Sequence, residues 1–256
     1  MKRAKDEVDQ RRKEIFSMIE KVGDVKVEEL SEMFKVSPIT LRRDLQYLED
    51  QDLVRRYYGG VSLAHPKKDQ TLHDELAVYR QSISKYAAGL VENNDTIFIN
   101  SSRTAIGIIP FITAKNVTVI TNNGNAINMQ HSSNVTIILT GGELRHIKGT
   151  MVGDFTLDHI QKVAAKKTFL GCSGLSTTVG MTTDHLEEVR VNKAMFEQSE
   201  VSYILADHKK IGKICSFVSV EPVVIKNVIT DEKVDLDEVH KFNALGINIV
   251  QVKKED

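Results

Sequence analysis

The sequence predicts a two-domain α/β chain, with a small winged helix-turn-helix over residues 1–63, a linker over 64–71 and a larger Rossmann-like α/β domain over 72–256. Three observations predict it. Apolar residues recur at helical spacing before Gly23, after it, and again after Ser37, and a short Gly-Gly hairpin follows. A polar stretch holding Pro66, Lys67, Lys68 and Asp69 then breaks all periodicity. Beyond it, short β-branched runs alternate with helical segments to the end of the chain. At 256 residues there is room for two cores, the larger belonging to a domain of roughly 150–180 residues.

The first helical stripe is Ile15, Phe16, Ile19 and Val22, and the second is Val27, Leu30, Met33 and Phe34. Ser37 is placed to cap a third helix, Pro38 suits its first position, and Leu41, Leu45 and Leu48 mark its inner side. Its outer side is left to Thr40, Arg42, Arg43 and Tyr47. Leu53–Arg56 and Val61–Leu63 read as two strands around Tyr57-Tyr58-Gly59-Gly60, where glycine permits positive φ. In the larger domain a helix is expected from about His73 to Val91. Strands are expected at Thr96–Asn100, Val117–Thr121, Val135–Leu139, Lys167–Leu170, Tyr203–Ala206, Val224–Ile229 and Ile247–Val252, forming a largely parallel sheet covered by helices.

A formal net charge of −1 means that any attraction to nucleic acid must come from where the charges sit, not from their sum. A helix that reads DNA presents the residues of its N-terminal half to base edges while neighbouring cations hold phosphates. Ser37, Thr40, Arg42 and Arg43 occupy that end of the third helix, and Arg55, Arg56 and Tyr58 sit on the hairpin beside it. Arginine bonds guanine bidentately. A solvated face in which Arg42 and Arg43 bridge to Asp44 or Glu49 is the other reading of the pair, but it gives no reason for the basic Gly-Gly wing.

SPITLRRDLQYLE followed by LVRRYYGGV resembles the DNA-binding signature of the DeoR family of bacterial repressors, over about Arg11 to Leu63. Two positions depart from the family's pattern: Asp52 stands where a glycine is common, and Tyr58 where a histidine is usual.

In an open α/β sheet a ligand lies beyond the carboxyl ends of the strands. The segments expected there are small and polar: Asn100-Ser101-Ser102-Arg103-Thr104, Thr121-Asn122-Asn123-Gly124, Thr140-Gly141-Gly142-Glu143 and Gly171-Cys172-Ser173-Gly174. The first opens a helix, whose free N–H groups favour an anion, and glycines let a ligand approach the backbone. Each segment taken singly is also an ordinary turn or cap. Four together describe a pocket for a small, polar, phosphorylated molecule. The resemblance to the DeoR sensor domain, similar in fold to the ribose phosphate isomerase group, extends over nearly the whole chain. It implies that Asn100 to Thr104 form the first phosphate-binding turn, Asn122 and Asn123 the second and Gly141-Gly142 the third, with Gly171 at the next strand end. It also implies that Glu188 matches an acidic position before a long helix, and that Lys210, in Asp207-His208-Lys209-Lys210-Ile211-Gly212, supplies an ammonium. Ser102 and Arg103 replace the family's usual Gly-Thr.

The two cysteines lack metal spacing, no cofactor motif is present, and no apolar run is long enough to span a membrane or act as a signal peptide, so a cytoplasmic protein is expected. The alternative function is a sugar-phosphate isomerase-like enzyme carrying a DNA-binding module. That chemistry needs a positioned acid and base, and the turn Gly171–Gly174, where the related enzymes are expected to place carboxylates, has none. The expectation is therefore a non-enzymatic repressor of a carbohydrate-metabolism operon, with duplex DNA and a phosphorylated sugar or sugar alcohol as partners. Two-fold operators imply a homodimer or larger symmetric homo-oligomer.

Overall fold

The computed structural model describes residues 2–50, 53–57, 59–63, 70–145 and 149–254, which divide into two compact units, 1–74 and 75–256. In the smaller unit α1 (Lys2–Val22) runs to Gly23, whose φ of 84° turns the chain into β1 (Asp24–Lys26). Then come α2 (Val27–Met33), α3 (Pro38–Asp50), β2 (Val54–Tyr57) and β3 (Gly60–Leu63). The strands form an antiparallel sheet in the order β1-β3-β2, with Asp24 opposite Ser62 and Val54 opposite Leu63. Leu41, Leu45 and Leu48 recur along one side of α3, so a single stripe meets Ile15 and Ile19 of α1, Leu30 of α2 and Val54, Val61 and Leu63 of the sheet, all buried. β1 carries no periodicity that sequence alone could reveal: its three residues hold one inward side chain, Val25.

α4 (Gln70–Ala88) starts within the stretch expected to be linker, carries the chain into the larger unit at Glu75 and ends just before Gly89. The rest runs β4 (Thr96–Ile99), α5 (Arg103–Ile106), β5 (Val117–Thr121), β6 (Val135–Leu139), β7 (Glu143–Arg145), β8 (Thr150–Val152) and α6 (Asp154–Gln161). Then follow β9 (Ala165–Gly171), β10 (Gly174–Ser176), β11 (Gly180–Thr183), α7 (Leu186–Glu197), β12 (Ser199–Leu205), β13 (Phe217–Val220), β14 (Asn227–Asp231), α8 (Leu236–Ala244) and β15 (Asn248–Val252). Seven strands pair in parallel in the order β15-β14-β12-β9-β4-β5-β6.

Successive strand residues point to opposite faces, and that alternation builds two cores. Phe98, Leu170, Ile204 and Val228 face α6, α7 and α8, where Ile160, Met195 and Phe242 meet them. Their neighbours Ile97, Ile99, Phe169, Leu205 and Ile229 face Ile83 and Ala87 of α4. The seven strands expected from the sequence are the seven of this sheet. One shifts: Pro222–Val224 forms a short 3-10 turn, and β14 starts only at Asn227. The β7–β8 hairpin and the antiparallel sheet β10-β11-β13 are not predicted by the sequence, because strands of three or four residues carry too little pattern.

Candidate functional site

On α3, the Ser37 hydroxyl accepts from the Thr40 amide at 3.2 Å, so it caps the helix as its position predicts. Arg42 and Arg43 are exposed and make no ion pair among the described residues. The carboxylates that a solvated-face reading would give them are already taken. Asp44, 2% exposed, accepts from Arg11 Nε at 2.8 Å and Arg12 Nε at 2.9 Å. Glu49 accepts from the Arg56 amide at 2.9 Å and Arg56 Nε at 2.8 Å, bonds that hold its carboxyl below the usual range. Arg56, which also bonds Gln46, thus braces the hairpin against α3 and is not poised as an independent contact. Arg55 is exposed, and Tyr47, on the same outward side as Arg43, lies under the Arg12 guanidinium at 4.0 Å. Tyr58 lies outside the described residues.

The larger unit has a cavity of about 560 Å³ at the carboxyl ends of β4 and β9. These strands are neighbours in the sheet but far apart in sequence, so the loops leaving them part in opposite directions and open a crevice. Asn100 to Thr104 come from the end of β4, Asn123 from β5, Gly171 to Ser173 from β9, Asp184 and Glu188 from the start of α7, and Lys210 and Lys213 from the segment after β12. Arg80 reaches in from α4. The lining therefore sets four cations, Arg80, Arg103, Lys210 and Lys213, against two carboxylates. Thr104, 1% exposed, lines the same cavity, and its buried hydroxyl has no hydrogen-bond partner among the described residues, a costly state.

Residues 77–232 match the DeoR C terminal sensor domain, and residues 11–67 match the DeoR-like helix-turn-helix domain. The chain belongs to the DeoR family of transcriptional regulators. It is 31% identical to the Glycerol-3-phosphate regulon repressor of Escherichia coli (strain K12), over 89% of this chain and 98% of that protein. It is 28% identical to the Lactose phosphotransferase system repressor of Staphylococcus epidermidis, over 90% and 94%. Among solved structures, ribose 5-phosphate isomerase from Plasmodium falciparum aligns with 52% of each chain at a TM-score of 0.37 and 13% identity.

Within this DeoR-family cavity the expected residues divide by role. Asn100 is a clasp: its amide nitrogen donates to the Gly171 carbonyl at 2.8 Å and to Asn192 Oδ1 at 2.9 Å, and its oxygen accepts from the Gly171 and Ser102 amides at 3.0 and 3.3 Å. Both of its hydrogens and both lone pairs are used, so Asn100 ties β4 to β9 and has none left for a ligand. Asn123 braces the next turn, donating to the Ser101 carbonyl at 3.0 Å and accepting from the Asn125 amide at 3.0 Å. Gly171 leaves the space that the Ser102 side chain fills, since a Cβ there would overlap it. Arg103 and Lys210 line the cavity as expected.

Asn122, Gly141 and Gly142 do not line the cavity. Asn122 turns its amide to the Met151 carbonyl at 3.0 Å, and the Gly141 carbonyl accepts from Thr156 at 2.6 Å, so both segments anchor the β7–β8 hairpin and α6. α5 is one turn long, which leaves little helix dipole at its N-terminus; an anion there rests on side-chain cations and a few free amides.

Sequence reasoning missed Arg80, Asn125, Thr183, Asp184, Asn192 and Lys213. Asn192 left a signal, a polar residue within the inward stripe Val191, Ala194, Met195 of α7. Arg80 left none, because an arginine on a half-exposed helix looks like any other. The carboxylates absent from Gly171–Gly174 arrive instead from the next segment, and Glu188 accepts from the Thr183 hydroxyl at 2.8 Å. Burial pushes the Cys172 thiol up to about 11, against the pull of Lys210, so it stands in the cavity wall as a neutral thiol. Among the described residues no group of His, Cys, Asp or Glu could hold a metal ion, and no helix is long and apolar enough to cross a membrane.

Proposed function

We propose that this DeoR-family regulator is a cytoplasmic repressor of genes for carbohydrate uptake or breakdown, released when a phosphorylated sugar or sugar alcohol fills the cavity. The observation that carries the reading is the cavity wall, in which four cations, Arg80, Arg103, Lys210 and Lys213, line a space that also holds amide and hydroxyl groups. The cations suit a phosphate, while Asn125, Asp184 and Glu188 suit the hydroxyls of a polyol. Two relatives point the same way, being named for a glycerol phosphate regulon and a lactose phosphotransferase system.

Arg42 and Arg43 reach base edges from α3, with Thr40 and Arg55 beside them, and a symmetric homo-oligomer presents two such helices to a two-fold operator. The ligand releases DNA by binding more tightly to the state that cannot dock, a difference of a few kcal/mol being enough. It is bound and not turned over. The test is a thermal-shift screen of the full chain with phosphorylated sugars and sugar alcohols, followed by duplex binding and product analysis with each hit. A stabilising ligand that lowers duplex affinity and is recovered unchanged is the expected result. Product formation would establish the isomerase alternative, and a duplex affinity indifferent to every stabilising ligand would remove the sensor reading.

A further inference from the structure

The helix α4 touches the segment after β12 through two consecutive residues, one of which, Arg80, lines the cavity. Tyr79 meets the His208 ring edge-on, with centroids 5.7 Å apart. Arg80 lines the cavity and donates from Nε to Asp207 Oδ2 at 2.8 Å. Asp207 is 1% exposed, its other oxygen has no hydrogen-bond partner among the described residues, and Lys210 Nζ stands 3.9 Å from the oxygen that Arg80 already holds. His208 is itself fixed, its amide and Nδ1 both within 2.8 Å of the buried Asp231 carboxylate.

A guanidinium has five N–H donors in a rigid fork. Here Nε is spent on Asp207, and no hydrogen bond to a described residue engages either terminal nitrogen. Asp207 therefore sets the fork's orientation from behind, as a carboxylate does for a histidine at a metal, and leaves its other edge to the cavity. We propose that Arg80 is a ligand-contacting residue, clamping an anionic group of the effector with its terminal nitrogens, and that Asp207 is its positioning residue. This deepens the sensor reading and rests on it.

The consequence is a route for regulation. α4 is the segment by which the chain enters the larger unit, and among the described residues Arg80 is the one it contributes to the cavity. An anion held between Arg80 and Lys210 draws α4 and the 207–210 segment onto one object. Binding energy at the cavity then appears as order in α4.

The probe is inorganic phosphate, titrated into the full chain by calorimetry, with hydrogen exchange followed over residues 75–88. Phosphate is expected to bind wild type and to slow exchange in α4. Arg80→Gln is expected to weaken binding about tenfold or more, the loss of a charge-assisted fork, and to abolish the protection of α4. Arg80→Lys keeps the charge beside Asp207 but not the fork, and should fall between the two. Lys210→Gln should weaken binding while leaving α4 protected at saturating phosphate. If Arg80→Gln fails to fold because Asp207 is stranded, Arg80→Gln/Asp207→Asn removes both charges and restores the comparison. Phosphate binding that Arg80→Gln leaves unchanged, or binding that leaves α4 exchange unaltered, would overturn the role of Arg80 alone. Wild type that binds no phosphate at all would overturn the anion cavity beneath it.

Discussion

Replacing Gly174 with alanine tests what holds Lys210 and Lys213 over the cavity. Gly174 opens β10, and the segment carrying both lysines is strapped across it: a Cβ at this position would lie 2.5 Å from the Lys213 carbonyl oxygen and 2.9 Å from Thr182 Oγ1. Real Cβ contacts essentially never fall below 3.0 Å, so the strap must recede by at least the difference between 3.0 and 2.5 Å, about 0.5 Å. The obstacle is backbone and cannot swing aside. Nor can Thr182, which is fully buried, donates to the Gly174 carbonyl at 3.1 Å and accepts from the Cys215 amide at 3.0 Å. A second tie on the strap is Gly212 N–H to the Leu175 carbonyl at 2.8 Å.

Overpacking of this kind costs ~1–3 kcal/mol, and one weakened buried hydrogen bond adds ~1 kcal/mol, giving ~2–4 kcal/mol in all. For a unit of this size that lowers the melting temperature by roughly 5–15 °C. The assay is calorimetry of the full chain, reading the transition that phosphate stabilises, since two units are free to melt separately. Phosphate affinity is expected to fall with it, because both lysines ride on the displaced strap. Thr182→Val is the comparison: it strands the Cys215 amide without adding bulk, so stability drops ~1–2 kcal/mol while the strap stays in place and phosphate still binds. Gly174→Ala protein that melts within about 2 °C of wild type and binds phosphate equally well would refute the argument that close approach at Gly174 positions the lysines.

Arg42→Ala and Arg43→Ala should each weaken specific duplex binding by ~1–3 kcal/mol without altering phosphate binding, measured by fluorescence anisotropy over a salt series; equal affinity in both variants removes α3 as the reading helix. Asp44→Asn removes the carboxylate charge that Arg11 and Arg12 share, their side chains being 23% and 21% exposed, and should cost about 2–3 kcal/mol in a urea melt, less than for a fully buried pair; an unchanged midpoint would show that α1 and α3 do not depend on this clamp. Cys172 should resist iodoacetamide at pH 8, because the thiolate is the nucleophile and burial keeps this thiol protonated. Its folded pKa of about 11 lies above the unfolded value, so the unfolded chain loses this proton first, and the stability that Cys172 contributes below pH ~9 declines as pH rises towards 11. Comparing wild type with Cys172→Ala across that window isolates the effect, and parallel curves would contradict it.

What the sequence made legible follows from the range over which each pattern acts. The Leu41, Leu45, Leu48 stripe and the Ser37 cap are local, and α3 forms where they predict. The seven sheet strands are legible for the same reason, each containing a short, mostly apolar run, although β6 and β15 at the sheet edges keep exposed residues. Pairings between distant segments leave no local trace. Nothing near Asp44 announces that Arg11 and Arg12 will claim it, yet that claim is what leaves Arg42 and Arg43 uncommitted. The cavity divides in the same way. Ser101 to Thr104 are legible because they follow a strand and open a helix, and Lys210 through the resemblance of its Asp-x-x-Lys-x-Gly segment, whereas Asn122 and Gly141-Gly142 also follow strands yet serve the β7–β8 hairpin and α6. A turn's composition says that its backbone must bend or cap; it does not say which way the side chain then faces. Arg80 is the extreme case. Its importance arises wholly from a partner 127 residues away, and only the fold brings the two together. A contact of that range is also the kind that can change when the cavity fills, since neither partner is held by its own neighbours alone. The residue least visible in the sequence is for that reason the one whose replacement says most about how this regulator senses.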